Sequence, residues 1–165
     1  MTDSLQNLIA VLREELKSYG ELLALLDRQQ DLVVSRSAEE LYQSIGAIQT
    51  QAAVLEQMRA HRDDCRRAVT ESMQLPEETP FGILIPLLPP DYQPLVQALV
   101  QENNELLVRV QQRARQNHLL LCRSLELMQQ FLNALLPGHD GGVYTGAGAS
   151  RYRPLPASAL YEAIG

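Results

Sequence analysis

The chain has 165 residues, of which 21% are charged and 45% apolar, and a formal net charge of −6. That length fits one domain, or one helical unit with a tail, and the acidic balance argues against a general nucleic-acid binder, which carries a basic face. With aromatics at 5% and no Trp, stacking platforms and deep compact cores are poorly supplied, whereas Leu-rich helix seams need neither.

A first helix is predicted over about residues 3–34, with Asp3 or Ser4 as its N-cap. Leu5, Ile9, Leu12, Leu16, Tyr19, Leu23, Leu26, Gln30 and Val33 recur at alternating steps of four and three. That is the 3.5-residue period of a coiled-coil seam. Gly20 lies inside this run and costs about 1 kcal/mol of helix propensity.

The stretch Ser35-Arg36-Ser37-Ala38-Glu39-Glu40 signals a restart, with Ser37 and Glu40 spaced as a capping box. A second helix is predicted over about 38–74. Its seam is Leu41, Ile45, Ile48, Ala52 and Leu55, then Met58, Cys65, Val69 and Met73. The step from 55 to 58 breaks register, and Arg62 stands where an apolar residue is due, so the second half reads as a weaker, splayed seam.

Prolines 76, 80, 86, 89, 90 and 94 fall in the connection at 75–93 and just after it, which excludes a continuous helix there. Phe81, Ile83, Leu84, Ile85, Leu87 and Leu88 make the same stretch apolar. It reads either as a packed loop capping the helical hairpin or as an exposed docking patch.

The third long helix is predicted over about 94–136, ending at Pro137-Gly138. Asn103 and Asn117 fall on or beside its seam, where a polar residue fixes register at a cost in stability; the other reading is a hydrogen bond to a bound partner. At 100° per residue, the apolar side chains of 119–136 spread over roughly 260° of the helix, whereas one packed face needs little more than about 100°. Two partner helices leave part of that arc for a third party. Residues 138–165 have a disorder composition, with 160, 161 and 164 as anchors for about two helical turns that order only on contact.

No chemistry-bearing motif survives. The phosphate-loop, dinucleotide, zinc-protease, paired-cysteine and nucleophile-elbow patterns are all absent from the sequence. His61, Asp64 and Cys65 share one helical turn, but two strong ligands do not make a metal site, and a solvated face is the plainer reading. No cofactor, metal or catalytic residue is expected, and the chain is not read as an enzyme. Cys65 and Cys122 are expected to be free thiols, which suits a reducing compartment. Without a signal peptide or a run of about 18 apolar residues, the protein is expected to be cytoplasmic, with no membrane insertion. The Arg-rich stretches (Arg59, Arg62, Arg66, Arg67, and Arg109, Arg113, Arg115) read as ion-paired with Glu56, Asp63, Asp64 and Glu105, or else as a surface for an acidic partner.

Taken in order, these features resemble the FlgN family of flagellar type III export chaperones. The resemblance rests on the Leu-rich first helix (LQNLIAVLREELKSYGELLALLDRQQDLV), the second helix opening SAEELYQSIGAIQTQAAVLEQMRAHR with Leu55, Glu56 and Arg59, the Leu/Pro-rich connection, the Asn-bearing QENNELLVRVQQ, and Tyr144 ahead of Gly148. It implies a chaperone that holds flagellar hook-associated proteins and delivers them to the export apparatus. On that reading Leu121, Leu125, Met128, Phe131, Leu132 and Leu135 face the substrate protein, and Tyr144 docks to the export gate. The expected fold is all-α: three long helices in an extended antiparallel coiled-coil-like bundle over 1–137, with a flexible tail over 138–165. The alternative is a coiled-coil homo-oligomer with a structural or adaptor role.

Overall fold

A computed structural model of the chain describes residues 2–135; Leu136, Tyr144 and the whole predicted tail lie outside the described residues. The described residues are all-α: α1 (Thr2–Ser35), α2 (Ala38–Ser72), α3 (Phe81–Leu84), a 3-10 turn (Ile85–Leu87) and α4 (Gln93–Leu135). Two compact units divide the chain, Met1–Asn117 and His118–Gly165.

Among the described residues there are four α-helices rather than the three predicted. The extra turn, α3, forms between prolines. Pro80 sits at its N-cap, where no donor is required, and its carbonyl accepts from the amides of Ile83 and Leu84 at 3.0 Å. Pro86 falls in the first turn of the 3-10 segment, again where its missing N–H costs nothing. Leu84 and Leu88 are fully buried against Leu5, Leu8, Ile9, Val69, Val96 and Leu99. The connection is therefore a packed cap, and only Ile83 and Leu87 of its apolar set stand substantially exposed.

Two expected caps do not form. Asp3 and Ser4 lie inside α1, which already begins at Thr2. Ser37 is the N-cap of α2 as predicted, but its side chain makes no capping hydrogen bond. The chain instead closes α1 with a Schellman motif: Ser37 N–H donates to Leu32 O and Arg36 N–H to Val33 O. The same motif ends α2, with Leu75 N–H on Thr70 O and Gln74 N–H on Glu71 O. Its left-handed position is usually glycine, yet here Arg36 and Gln74 occupy it, both at φ 57. Arg36→Gly should therefore raise stability by about 0.5–1 kcal/mol, since relief of the left-handed strain outweighs the added unfolded-state freedom. A urea-unfolding midpoint checks this.

α1 is the central helix of the first unit. Twelve of its residues are buried, against six in α4 and five in α2. The predicted seam is buried or half-buried throughout, and a second row (Leu8, Val11, Glu15, Ser18, Leu22, Gln29, Leu32) is buried beside it. One helix needs two seams when two helices cover it. α2 runs antiparallel to α1, with Arg62 on Glu15 and Gln51 on the Ser18 carbonyl. α4 runs parallel to α1, with Asn103 on Leu12 and Asn117 on Leu26.

The α2 seam does not break. Its four-three steps continue from Leu55 through Arg59, Arg62 and Arg66 to Val69 and Met73, and all three arginines are half-buried. Arg62 Nη1 lies 2.9 Å from Oε1 of Glu15, whose side chain is wholly inaccessible to solvent. Burial pushes the Glu15 carboxyl above the usual carboxylate range, opposed by the charges of Arg62 and Arg59. Burial likewise raises the Tyr19 phenol, with the Glu15 charge adding to it. Arg66 donates to the Thr79 and Glu77 carbonyls and so ties α2 to the cap. The ion-pairing reading of the arginines holds in part: Arg62 pairs with Asp63 and Arg67 with Asp64 as expected, and Glu15, Glu77 and Asp27 are added as partners of Arg62, Arg67 and Arg113, whereas Glu56 and Glu105 take no arginine among the described residues. Arg113 also donates to Gln30, the polar residue in the α1 seam.

Asn103 and Asn117 act in register, as expected. They are two heptads apart on α4, and each donates Nδ2 to an α1 carbonyl two heptads apart, Leu12 at 2.9 Å and Leu26 at 2.7 Å. Sliding α4 by one residue would break both bonds to α1, leaving Asn103 only its bond to Leu99 O on its own helix. Asn117 also donates to Gln29 Oε1 at 3.0 Å. Asn117→Ala should cost about 1–3 kcal/mol, because it opens a cavity and strips Gln29 of its buried partner; the shift in thermal midpoint measures it.

Candidate protein-binding site

The candidate site begins with the helical phase of α4. At about 100° per residue, the buried residues Val96, Leu99, Asn103, Val110, Ala114 and Asn117 fall on one narrow face. Leu121, Leu125, Met128, Leu132 and Leu135 continue the same face at steps of four, three, four and three. The seam pattern that α1 covers in the first unit thus runs on, uninterrupted, into the second.

In the second unit that face is open. Leu125, Met128, Phe131 and Leu135 are 61–62% exposed and Leu132 is 49% exposed, while Leu121 is half-buried. For residues whose partners in the first unit are almost fully buried, these are large values. Leu120 and Leu127 flank the face and widen it, and Leu119 is exposed on the other side. A polar row of Arg123, Glu126, Gln130 and Asn133 keeps the arc from closing round the helix. The six substrate-facing residues expected from the sequence are therefore brought together on one helix. Tyr144 lies outside the described residues.

Cys65 is buried in the core of the first unit, and burial pushes its thiol up, which makes it unreactive. Cys122 lies 3.7 Å from His118 Nε2, and both cysteines are free. Among the described residues no cluster of three or more His, Cys, Asp or Glu side chains could hold a metal. An open groove of about 680 Å³ lies between α2, the cap and the start of α4, lined by Phe81, Ile85 and Val100 with Arg62 and Arg66 at its edge. Both of those arginines are already committed within the chain, to Glu15 and to the Thr79 carbonyl.

An exposed apolar seam on a Leu-rich helix is what a binder of other proteins requires. A family model described as FlgN protein matches residues 1–151. The chain belongs to the FlgN family. FlgN is a family of flagellar export chaperones rather than of enzymes. Comparison with curated proteins and with solved structures returned no match. The FlgN match spans both units, so the open face belongs to the family region of the chain. No helix among the described residues is long and apolar enough to cross a membrane.

Proposed function

We propose that this FlgN protein works in the cytoplasm, binds unassembled flagellar hook-associated proteins on the open face of α4 and hands them to the export apparatus, with Tyr144 as a docking residue for the export gate. The observation that carries the reading is the continuity of the α4 seam, buried up to Asn117 and open from Leu125 onwards. Such a face accepts an amphipathic helix of a partner as a helix in a groove. A subunit awaiting assembly exposes an apolar stripe of that kind, and covering it prevents aggregation.

The magnitude suits a carrier. Six side chains that are already partly covered gain roughly 1 kcal/mol each on full burial, about half the usual 1.5–3 kcal/mol. The sum, on the order of 6 kcal/mol, corresponds to tens of micromolar before added polar contacts and ordering costs. A partner so held can be released for export.

The test is binding of a purified hook-associated protein to the full chain and to the Leu125→Glu/Phe131→Glu variant. The same open face also suits self-association into a coiled-coil oligomer. Light scattering separates the two readings: an oligomer that persists when the hook-associated protein is added counts against the chaperone.

A further inference from the structure

The open face also raises the matter of what covers it before a partner arrives. We propose that, in the free protein, the segment 157–164 lies on the α4 face formed by Leu121, Leu125, Met128, Leu132 and Leu135 and competes with the partner for it; the competition rests on the chaperone reading above, the covering does not.

Three observations carry this. First, Ala157, Leu160, Tyr161 and Ile164 recur at i, i+3, i+4 and i+7, one face of a helix, with Ser158 and Glu162 opposite. Two turns are too short to hold a helix alone, so this face needs an apolar surface to form against. Second, the reach fits. From 121 to 135 the α4 face is about 21 Å long at 1.5 Å per residue. The residues from 136 to 156 include Gly138, Gly141, Gly142, Gly146 and Gly148, and a Gly-rich spacer of that length has a root-mean-square span of about 25 Å. A spacer matched to its span gives an effective concentration in the millimolar range, enough for a weak contact to be populated. Third, a second copy of the chain is the poorer occupant. Only about 18 residues of one helix are on offer, against roughly 20–30 residues a side in a standard stable interface.

The consequence is a built-in competitor. If the segment covers the face for half to nine-tenths of the time, it weakens partner binding by about two- to tenfold. It also shields the apolar stripe without closing it permanently.

Hydrogen exchange on the full chain tests the covering without any partner. Leu160→Glu/Ile164→Glu should speed amide exchange across 121–135 by at least about twofold, while Ser158→Glu, on the opposite side of the segment, should leave it unchanged. The same double variant should bind a hook-associated protein about two- to tenfold more tightly. Unchanged exchange in the double variant, or equal acceleration by Ser158→Glu, overturns the covering. Protection that rises with protein concentration also overturns it, in favour of a second copy. Faster exchange with unchanged partner affinity overturns the competition. Loss of the chaperone reading itself would appear elsewhere, as partner binding insensitive to Leu125→Glu/Phe131→Glu.

Discussion

Leu125→Glu/Phe131→Glu is expected to reduce binding of a hook-associated protein by at least about 100-fold while leaving helicity and thermal midpoint near those of the unaltered chain. Both side chains are 62% exposed, so neither substitution leaves a cavity in the folded protein. In a complex both would be covered, and a covered glutamate without a partner costs several kcal/mol. The lost burial of about 1 kcal/mol at each position, added to the penalty of covering two glutamates, exceeds the roughly 2.7 kcal/mol that a 100-fold change requires. Titration calorimetry reads the affinity and circular dichroism the helicity. Affinity that survives intact would move the binding site off α4, with the exposed Ile83 and Leu87 of the cap as the next surface to alter.

Arg62→Ala is expected to destabilise the first unit by about 3 kcal/mol or more at pH 7. The cause is not the loss of an ion pair as such. It is the Glu15 carboxylate left behind, wholly inaccessible to solvent, with Oε2 making no hydrogen bond of normal geometry among the described residues. Arg62 itself is 21% exposed, and water reaching the vacated site keeps the cost toward the low end. The pH dependence follows from the direction of the Glu15 shift. Its folded-state carboxyl lies above the ordinary value of 4.5, raised first by burial. A raised carboxyl contributes stability that is fully present below its unfolded value and lost as pH rises through the folded one. Removing the Arg62 charge raises the carboxyl further, so the loss should shrink as pH is lowered from 7 toward 5. Equal destabilisation at both pH values would mean that Glu15 is not the group responsible. The double variant Glu15→Leu/Arg62→Met should restore most of the stability, since an apolar pair of similar size carries no desolvation penalty.

Much of the fold was legible from periodicity. The α1 seam, the restart after Ser37 and the long run of α4 each follow from apolar spacing that only one helical face can satisfy. The packed cap was harder to read. Six prolines exclude a long helix, but a single turn fits between Pro80 and Pro86 because the missing donors fall where helices need none. The α2 seam misled for a chemical reason. Read by hydropathy, the step from Leu55 to Met58 and the charge at Arg62 look like a break. Read in phase, Arg59, Arg62 and Arg66 are seam positions, and the acceptors of Arg62 and Arg66 sit on other elements: Glu15 on α1 and the Thr79 carbonyl in the cap. The missed signal was Glu15 itself, four residues after Val11 and three before Ser18 on a second row whose spacing is as regular as the first.

The candidate face was legible because apolar width is a property of one helix and needs no partner to be counted. The sequence by itself determined that the chain is helical, where its long helices run, that α4 carries more apolar surface than one packed face uses, and the FlgN resemblance. Tertiary structure alone decided that α1 is the central helix and that the two asparagines hold α4 in phase with it through the Leu12 and Leu26 carbonyls. It also decided that the seam is covered up to Asn117 and open from Leu125 on. The reason is that hydrophobic spacing states which residues seek cover, whereas which element supplies that cover depends on contacts between residues far apart in the chain.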